Sequence, residues 1–476
     1  MLMQQKHGLF PRIIGKGDNA HRLMELVLRM RSEASADETS SSSRLGMMPS
    51  AHIESLVIID REIDFGTVLL TQLTYEGLID EIYGIKDNAA EFDISVVGPG
   101  PAQQNSAAPQ SQVGMKRKIL LDSSDKLYDQ LRDTNFAICG ILLNKLARRL
   151  QQDYESRHEA KSTQELRDFV TKLPGYQADQ QSLKTHTGIV EDITKYTNSE
   201  TFRRVLEVQQ NLAEGGDPVS QHETVEELIA RNTPLPIVLR LLCLESCISG
   251  GLRPKDLENF RTLILHAYGY QHLLTLDALE KMQLLVARSS GNIFALPGGG
   301  SGTASATKTN YNYLRKALRL VFNEVKEREP DDISYVYSGY APLSVRLIQC
   351  ILQKQFLLSF TKSASQVPQN HTGISTAAHG WQGFEDALKA VKGQTFNKVQ
   401  KGEDAATKTR AILSGTGGKK TVVVMFLGGI TRTEIAALRF IAKGDPSRNI
   451  LICTTSIISG GKMMDVATEK RNFGST

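Results

Sequence analysis

The sequence predicts an α/β domain whose parallel sheet is divided in the chain by a long helical insertion. Three observations carry that prediction. Residues 56–59, Leu-Val-Ile-Ile, have the length and β-branched composition of a buried strand. Residues 421–427 and 449–454 are two more apolar strands with a helical pattern between them, which is one βαβ unit with parallel strands. Between the two blocks, from residue 122 to residue 326, the periodicity is helical. The economical topology is one sheet domain interrupted by inserted helices.

In chain order, residues 21–33 are apolar at Leu23, Leu26, Val27 and Met30, an amphipathic helix. Residues 34–50 form a Ser-rich surface insert. The strand at 56–59 is closed by Asp60-Arg61, with a second acid at Asp64, before a helix ending near Tyr83. Asp60 and Asp64 have the residue types of a catalytic or metal pair. Charges at strand ends more often cap and position loops, and that is the expectation here. Residues 97–114 read as a loop.

Leu127, Leu131, Ile138, Leu142, Leu146 and Leu150 then mark a long helix with a basic outer face. Ser162 and Glu165 form a capping box for a stripe of Leu166, Phe169, Val170 and Leu173, which Pro174-Gly175 is expected to stop. A second helix starts near Tyr176, with Leu183, Val190 and Ile193 on one face and His186 and Ile189 beside it. After a break near Asn198, the pattern resumes at Phe202, Val205, Leu206 and Leu212 and ends at Gly215-Gly216. Helix, Pro-Gly turn, helix is an αα-hairpin. Its mixed charges suit another helix better than a phosphate backbone. Shorter helices are expected at 237–249, 254–268, 276–286 and 311–326, with a Gly/Ser/Thr loop at 297–309. Residues 334–340 read as a loop or short strand and 344–356 as a helix. Polar inserts at 363–375 and 399–420 precede the strand at 421–427. Thr431 and Glu434 then form a second capping box, opening a helix through Ala442.

Composition narrows the function. Fifty-six basic against 52 acidic residues is too balanced for nucleic acid as the main partner, and 6% aromatics leaves few stacking platforms. Cys139, Cys243, Cys247, Cys350 and Cys453 form no CxxC pair and read as buried reduced thiols. The first residues carry no apolar signal core, and the longest apolar run, near 422–430, is far short of a membrane span. The expectation is a cytoplasmic protein that reaches membranes only through partners. Of the Gly-rich stretches, 298–302 follows no strand and 415–421 lacks the phosphate-loop spacing. Gly428-Gly429 follows a strand and opens a helix, an end that can hold a phosphate. No nucleophile elbow or local triad signature is visible. The residues by themselves favour a binding protein over an enzyme, with no cofactor and no metal.

Several stretches carry a resemblance. Residues 72–81, Gln-Leu-Thr-Tyr-Glu-Gly-Leu-Ile-Asp-Glu, resemble a segment of the Sec/Munc (SM) family, in its vacuolar branch, with Val68 where the family usually has Pro. Residues 173–177 (Leu-Pro-Gly-Tyr-Gln) and 185–193 (Thr-His-Thr-Gly-Ile-Val-Glu-Asp-Ile) are similar to the tip and second helix of the family's domain 3a hairpin. Residues 335–347 are similar to the return into domain 2, and 426–440 to the last βαβ unit. The resemblance implies domain 2 at 1–85 and 333–476, domain 3a at 86–214 and domain 3b at 215–332. It implies a non-enzymatic chaperone of SNARE assembly within the HOPS and CORVET tethering complexes, peripheral on vacuole or lysosome and endosome membranes. The implied partners are SNARE domains, bound along domain 3a, the α-solenoid of vacuolar protein sorting-associated protein sixteen, docked by domain 3b and the adjoining α/β domain, and other HOPS/CORVET subunits. On the hairpin, the contact candidates are Tyr176, Gln177, Lys184, His186, Glu191 and Asp192, with Tyr176 and His186 open to a core-facing alternative. Leu183, Val190 and Ile193 are expected to pack inward. The resemblance starts at residues 8–11, already inside domain 2, so the family's N-terminal domain, the other wall of the SNARE cleft, is expected to be lacking. The alternatives are a scaffold that docks the tether without binding SNAREs, and a nucleotide-binding α/β enzyme using Gly428-Gly429.

Overall fold

Strands β1 (Arg12–Lys16), β2 (Ile53–Asp60), β5 (Thr395–Val399), β6 (Lys420–Leu427) and β7 (Arg448–Thr454) make one sheet in the order β5-β1-β2-β6-β7. This is a computed structural model, and it describes residues 2–36, 49–50, 52–98, 115–158, 163–288, 308–361, 380–400 and 419–470, with the side chains of 153–174 left aside. Both ends of the chain therefore build the same sheet, an α/β plus helical fold. β1, β2, β6 and β7 run parallel, but β5 lies antiparallel against β1, so the sheet is mixed and not wholly parallel as expected. β1 and β5 escaped the sequence reading because Arg-Ile-Ile-Gly-Lys and Thr-Phe-Asn-Lys-Val are short, the first bounded by charges at both ends and the second carrying Lys398 inside the run.

β2 is central, and its continuous apolar run follows from being covered on both faces. Val57 and Ile59 point into the larger core, shared with the inserted helices. Leu56 and Ile58 point into a smaller core, shared with Ala20 and Met24 of helix α1 (Asp18–Ala36). α1 reaches Ala36, three residues into the expected insert; the rest of that insert lies mostly outside the described residues.

The insertion opens with α2 (Tyr75–Ile82), the hairpin β3 (Ala89–Asp93) and β4 (Lys116–Leu120), and the single turn α3 (Ile94–Val97). Next come α4 (Lys126–Leu131), α5 (Phe136–His158) and α6 (Thr163–Thr197). α6 runs straight through Pro174-Gly175, which the sequence reading placed at the hairpin tip. An interior proline costs about 3 kcal/mol. Helix nucleation is the harder step, and long helical stretches on both sides propagate past one missing hydrogen bond. Residues 159–162, between α5 and α6, lie outside the described residues, and with them Ser162 of the expected capping box.

Ser199 caps α7 (Glu200–Glu214), and Gly215 ends it in the left-handed conformation. α8 (Val219–Ala230), α9 (Leu235–Ser249), α10 (Pro254–Tyr268) and α11 (Leu273–Lys281) follow. α9 is buried nearly all round and is the axis of this helical part. The helix expected over 311–326 is only Tyr311–Ala317, because Arg319 turns left-handed. The chain returns through a 3-10 turn at Ile333–Tyr337, not a strand, then α12 (Leu343–Leu352), α13 (Arg432–Gly444) and α14 (Gly460–Ala467). The inserts at 363–375 and most of 399–420 and 297–309 lie outside the described residues.

A buried ionic network locks the split sheet together. Arg61, just past β2, donates from Nη1 to both carboxylate oxygens of Glu434 on α13 at 2.9 Å, and both side chains are almost wholly buried. Glu434 also accepts from the Ser344 hydroxyl on α12 and from the Thr431 amide at 2.9 Å. Asp64 accepts from the Thr67 hydroxyl at 2.6 Å and from the Ser344 amide at 3.0 Å. Asp60 accepts from the Asn19 amide at 2.8 Å and caps the 3-10 turn Arg61–Ile63. Neither acid of the Asp60/Asp64 pair stands free as a metal or catalytic group: Asp60 is taken up by the Asn19 and Glu62 amides, and Asp64 by Thr67, the Ser344 amide and Arg61. Among the described residues no cluster of three or more His, Cys, Asp or Glu has metal-site geometry. Cys139, Cys243 and Cys350 are buried free thiols, whereas Cys247 and Cys453 are only partly buried.

Removing one partner of such a pair strands the other in the interior. Arg61→Met is expected to lower unfolding free energy by about 3 kcal/mol, measured by urea denaturation. Lys389→Met, which removes an exposed pair with Asp386, is expected to change it by less than about 0.5 kcal/mol. Equal effects would mean that the buried network is not what fixes the sheet.

Candidate functional site

The α5–α6 hairpin stands on a second hydrophobic core made by α2, the β3–β4 hairpin, α4 and the inner face of α6. On α6 that inner face is Ile189, Val190 and Ile193, with Leu183 packed at its edge, as the spacing predicted. Gly188 lies where α6 crosses the α3 backbone. A Cβ there would sit 2.0 Å from the Val96 carbonyl oxygen, so only glycine permits this approach.

His186, one of the contact candidates, is 1% exposed and takes the core-facing alternative. Its Nδ1 pairs with the Tyr75 hydroxyl at 2.7 Å, and its Nε2 donates to Asp125 Oδ2 at 3.1 Å. The ring stacks beside Tyr128. Asp125 is also the N-cap of α4 and accepts from Leu127 and Tyr128 amides and from the Ser182 hydroxyl at 2.8 Å. Burial works to raise the Asp125 carboxyl, but the hydrogen bonds from His186, Ser182 and the Tyr128 amide outweigh it and hold it well below the usual carboxylate range. Asp192 is half-buried, accepts from the Tyr83 hydroxyl at 2.5 Å and lies 3.7 Å from Lys195. Burial, then Asp192, pushes the Tyr83 phenol up. His186 and Asp192 thus bind the hairpin to α4 and α2.

The other candidates face outward. Gln177, Lys184 and Glu191 are exposed and Tyr176 is half-buried. The base of α5 is clamped to the sheet domain: Asn135 donates to the Tyr335 carbonyl at 2.8 Å, and Tyr335 donates back to the Asp133 carbonyl at 2.9 Å. Arg439 on α13 reaches Asp133 at 2.8 Å, and Arg432 reaches Glu76 of α2 at 2.7 Å.

A second surface, missed by the sequence reading, lies on the later helices. Tyr270, Leu273 and Leu274, at the start of α11, are 72%, 60% and 49% exposed, and Val466 of the adjacent α14 is 84% exposed. Adjacent apolar residues in a helical segment read as core; only the packing shows that this face is left outside. Beneath it, Arg240 of α9 donates to the Leu69 and Leu70 carbonyls and pairs with Glu81 at 2.9 Å, tying these helices to the sheet domain.

The Gly428-Gly429 turn is built for packing. Both are left-handed, and a Cβ would meet Arg61 at 2.8 Å or Ile458 at 2.6 Å. The α13 N-terminus that follows is filled by its own capping box: Thr431 and Glu434 satisfy each other's amides, and Gln72 accepts from the Thr433 amide. An anion there would face the Glu434 carboxylate, so the arrangement offers no phosphate cradle. The other Gly-rich stretches, 298–302 and 415–418, lie outside the described residues. No helix among the described residues is long and apolar enough to cross a membrane.

The sequence pattern of the Sec1 family matches residues 1–466. The chain is 36% identical to vacuolar protein sorting-associated protein 33A of Rattus norvegicus, over 99% of this chain and 70% of that protein. It is 32% identical to vacuolar protein sorting-associated protein 33 of Schizosaccharomyces pombe, over 97% of this chain and 70% of that one. Among solved structures, the Unc18–syntaxin 1 complex from Monosiga brevicollis aligns with a TM-score of 0.59 at 13% identity, covering 98% of this chain and 69% of that chain. The SM protein Vps45 in complex with the Qa SNARE Tlg2 (1-310) aligns at 0.54 with 16% identity, covering 96% of this chain and 65% of that chain. At these identities the structures share the fold.

The Asp125 cluster sets an expected acid sensitivity. Its folded pKa lies below the ordinary carboxylate value near 4, so its stabilisation is present above about pH 4 and is lost as pH falls through the lower folded value. Asp125→Ala, which also removes the α4 cap, is expected to cost about 1 kcal/mol at pH 7 and to flatten the loss of stability below about pH 4. Urea unfolding at several pH values checks both, and a parallel acid profile in the variant would refute the assignment.

Proposed function

The chain belongs to the Sec1 family, the SM proteins, and is of the vacuolar protein sorting 33 type; on that premise we propose that it binds SNARE-domain helices along α6 and promotes their assembly. The observation that carries the reading is the hairpin itself. α6 is a 35-residue helix anchored on its inner face, in a hairpin whose α5 is clamped at its base to the sheet domain, and its outer residues offer a long ridge for a second helix. Two proteins of the same fold, one in complex with syntaxin 1 and one with the Qa SNARE Tlg2, support the class of partner.

The apolar face of α11 and α14 supports a second role, as a docking site for a stable partner. We assign it to the α-solenoid of vacuolar protein sorting-associated protein sixteen, which would bring the chain into the HOPS and CORVET tethers and so to vacuole, lysosome and endosome membranes. The chain would act there as a non-enzymatic chaperone, and a half-zippered set of helices would be its substrate. The element grouping supports a division into an α/β domain at 1–85 with 333–476 and helical parts at 86–214 and 215–332.

Two sets of variants test the two surfaces apart. Leu273→Asp with Leu274→Asp is expected to weaken capture of the solenoid at least tenfold, measured by calorimetry, with SNARE-helix binding unchanged. Gln180→Trp with Thr194→Trp, on the outer face of α6, is expected to weaken SNARE-helix binding about tenfold by fluorescence anisotropy, with solenoid capture unchanged. Solenoid capture with no SNARE binding in the parent chain would reduce the function to docking alone.

A further inference from the structure

The outer ridge of α6 has a chemistry that decides how a helix can lie on it. Gln180, Lys184, Thr187, Glu191, Thr194 and, just past the helix end, Asn198 recur at alternating steps of four and three residues. That is the spacing along which one helix follows another. Every one of the six is polar. Lys184 and Glu191 are exposed and one heptad apart, about 10 Å along the axis. The ion pairs that α6 makes among the described residues run through His186 and Asp192 instead.

An amphipathic helix laid apolar side down on this ridge would bury its stripe against charged and amide groups. It would desolvate them without supplying hydrogen bonds. The same helix turned polar side down can answer the two charges. Resting on the reading that this hairpin receives SNARE-type helices, we propose that Lys184 and Glu191 set the face and register of the bound helix. It docks through its polar face, with an acidic residue opposite Lys184 and a basic residue one heptad away opposite Glu191. Its apolar stripe is left outward, free to pair with further helices. Contacts of this kind are individually weak and screened by salt. They select a register and release the helix once its apolar stripe is buried elsewhere.

The test uses the full chain and three labelled amphipathic helical peptides. They are identical except at two polar-face positions seven residues apart, which carry Glu and Lys, Glu and Glu, or Lys and Lys. In the mixed peptide Glu precedes Lys, the order that answers both charges when the bound helix runs parallel to α6. By anisotropy, the parent chain is expected to prefer the Glu/Lys peptide about tenfold over the other two at low salt. Lys184→Glu is expected to shift the preference to Lys/Lys, and Glu191→Lys to Glu/Glu, with all preferences shrinking at high salt. Both positions are exposed, so melting temperatures should stay within about 2 °C of the parent. Binding of all three peptides with equal affinity by parent and variants would overturn the register assignment and leave the helix-binding function standing. No binding of any peptide, with solenoid capture intact, would overturn both.

Discussion

The buried pairing of Arg61 with Glu434 is the constraint on which the molecule depends. It joins the end of β2 to the start of α13, segments separated in the chain by the whole helical insertion. Through Ser344 and Asp64 it also captures the point where the chain returns to the sheet. A sheet assembled from both ends of a chain has a register problem: β6 must find β2 after a long excursion, and any one-residue slip exchanges the two faces of the sheet. Apolar strands alone specify such a register weakly. A guanidinium that is stable in the interior only when it faces one carboxylate specifies it strongly. Glu434 meets that demand while closing the α13 amides, so one carboxylate serves two purposes, and the phosphate-binding option of the glycine turn is lost with it.

The same device recurs where the hairpin meets the sheet domain. Glu76, Arg432, Arg439 and Asp133 form a half-buried chain of charges between α2, α13 and the base of α5. The Asp125–His186–Tyr75 cluster then holds α6 against α4 and α2. A long hairpin fixed at two points along its base behaves as a lever of defined angle. The outer face of α6 is therefore a positioned surface.

How much of this was legible depended on whether the signal was local. β2, β6 and β7 announce themselves because buried parallel strands are continuous apolar runs. The inner face of α6 was legible because Leu183, Val190 and Ile193 keep helical spacing. The Thr431–Glu434 capping box is a four-residue signal and reads directly. β1 and β5 were not legible, since a five-residue strand with charged or polar residues among few apolar ones has no period to detect. Pro174 misled because a proline's local penalty is fixed, whereas the helix that absorbs it is long. The partner of His186 lay in the α4 cap, and no pattern within α6 points there. Gly188 did carry a signal, a lone glycine inside a helical run, which marks close backbone approach.

The two outward surfaces differ in physical kind, and the difference bears on the order of events. The face of Tyr270, Leu273 and Leu274 is apolar, and burying it is favourable at any salt concentration, at roughly 25 cal/mol per Å² of apolar area. Such a face suits a partner that stays. The α6 ridge is polar and charged, so its contacts replace hydration with something only slightly better. A chaperone of assembly needs that inequality. If the ridge held a helix as tightly as the apolar face would hold the proposed solenoid partner, the finished bundle would have to compete with its own template. A weak polar hold, presented at a fixed angle by a protein kept in place through a separate apolar contact, raises the local concentration of correctly aligned helices and yields to the larger apolar burial of the bundle they form.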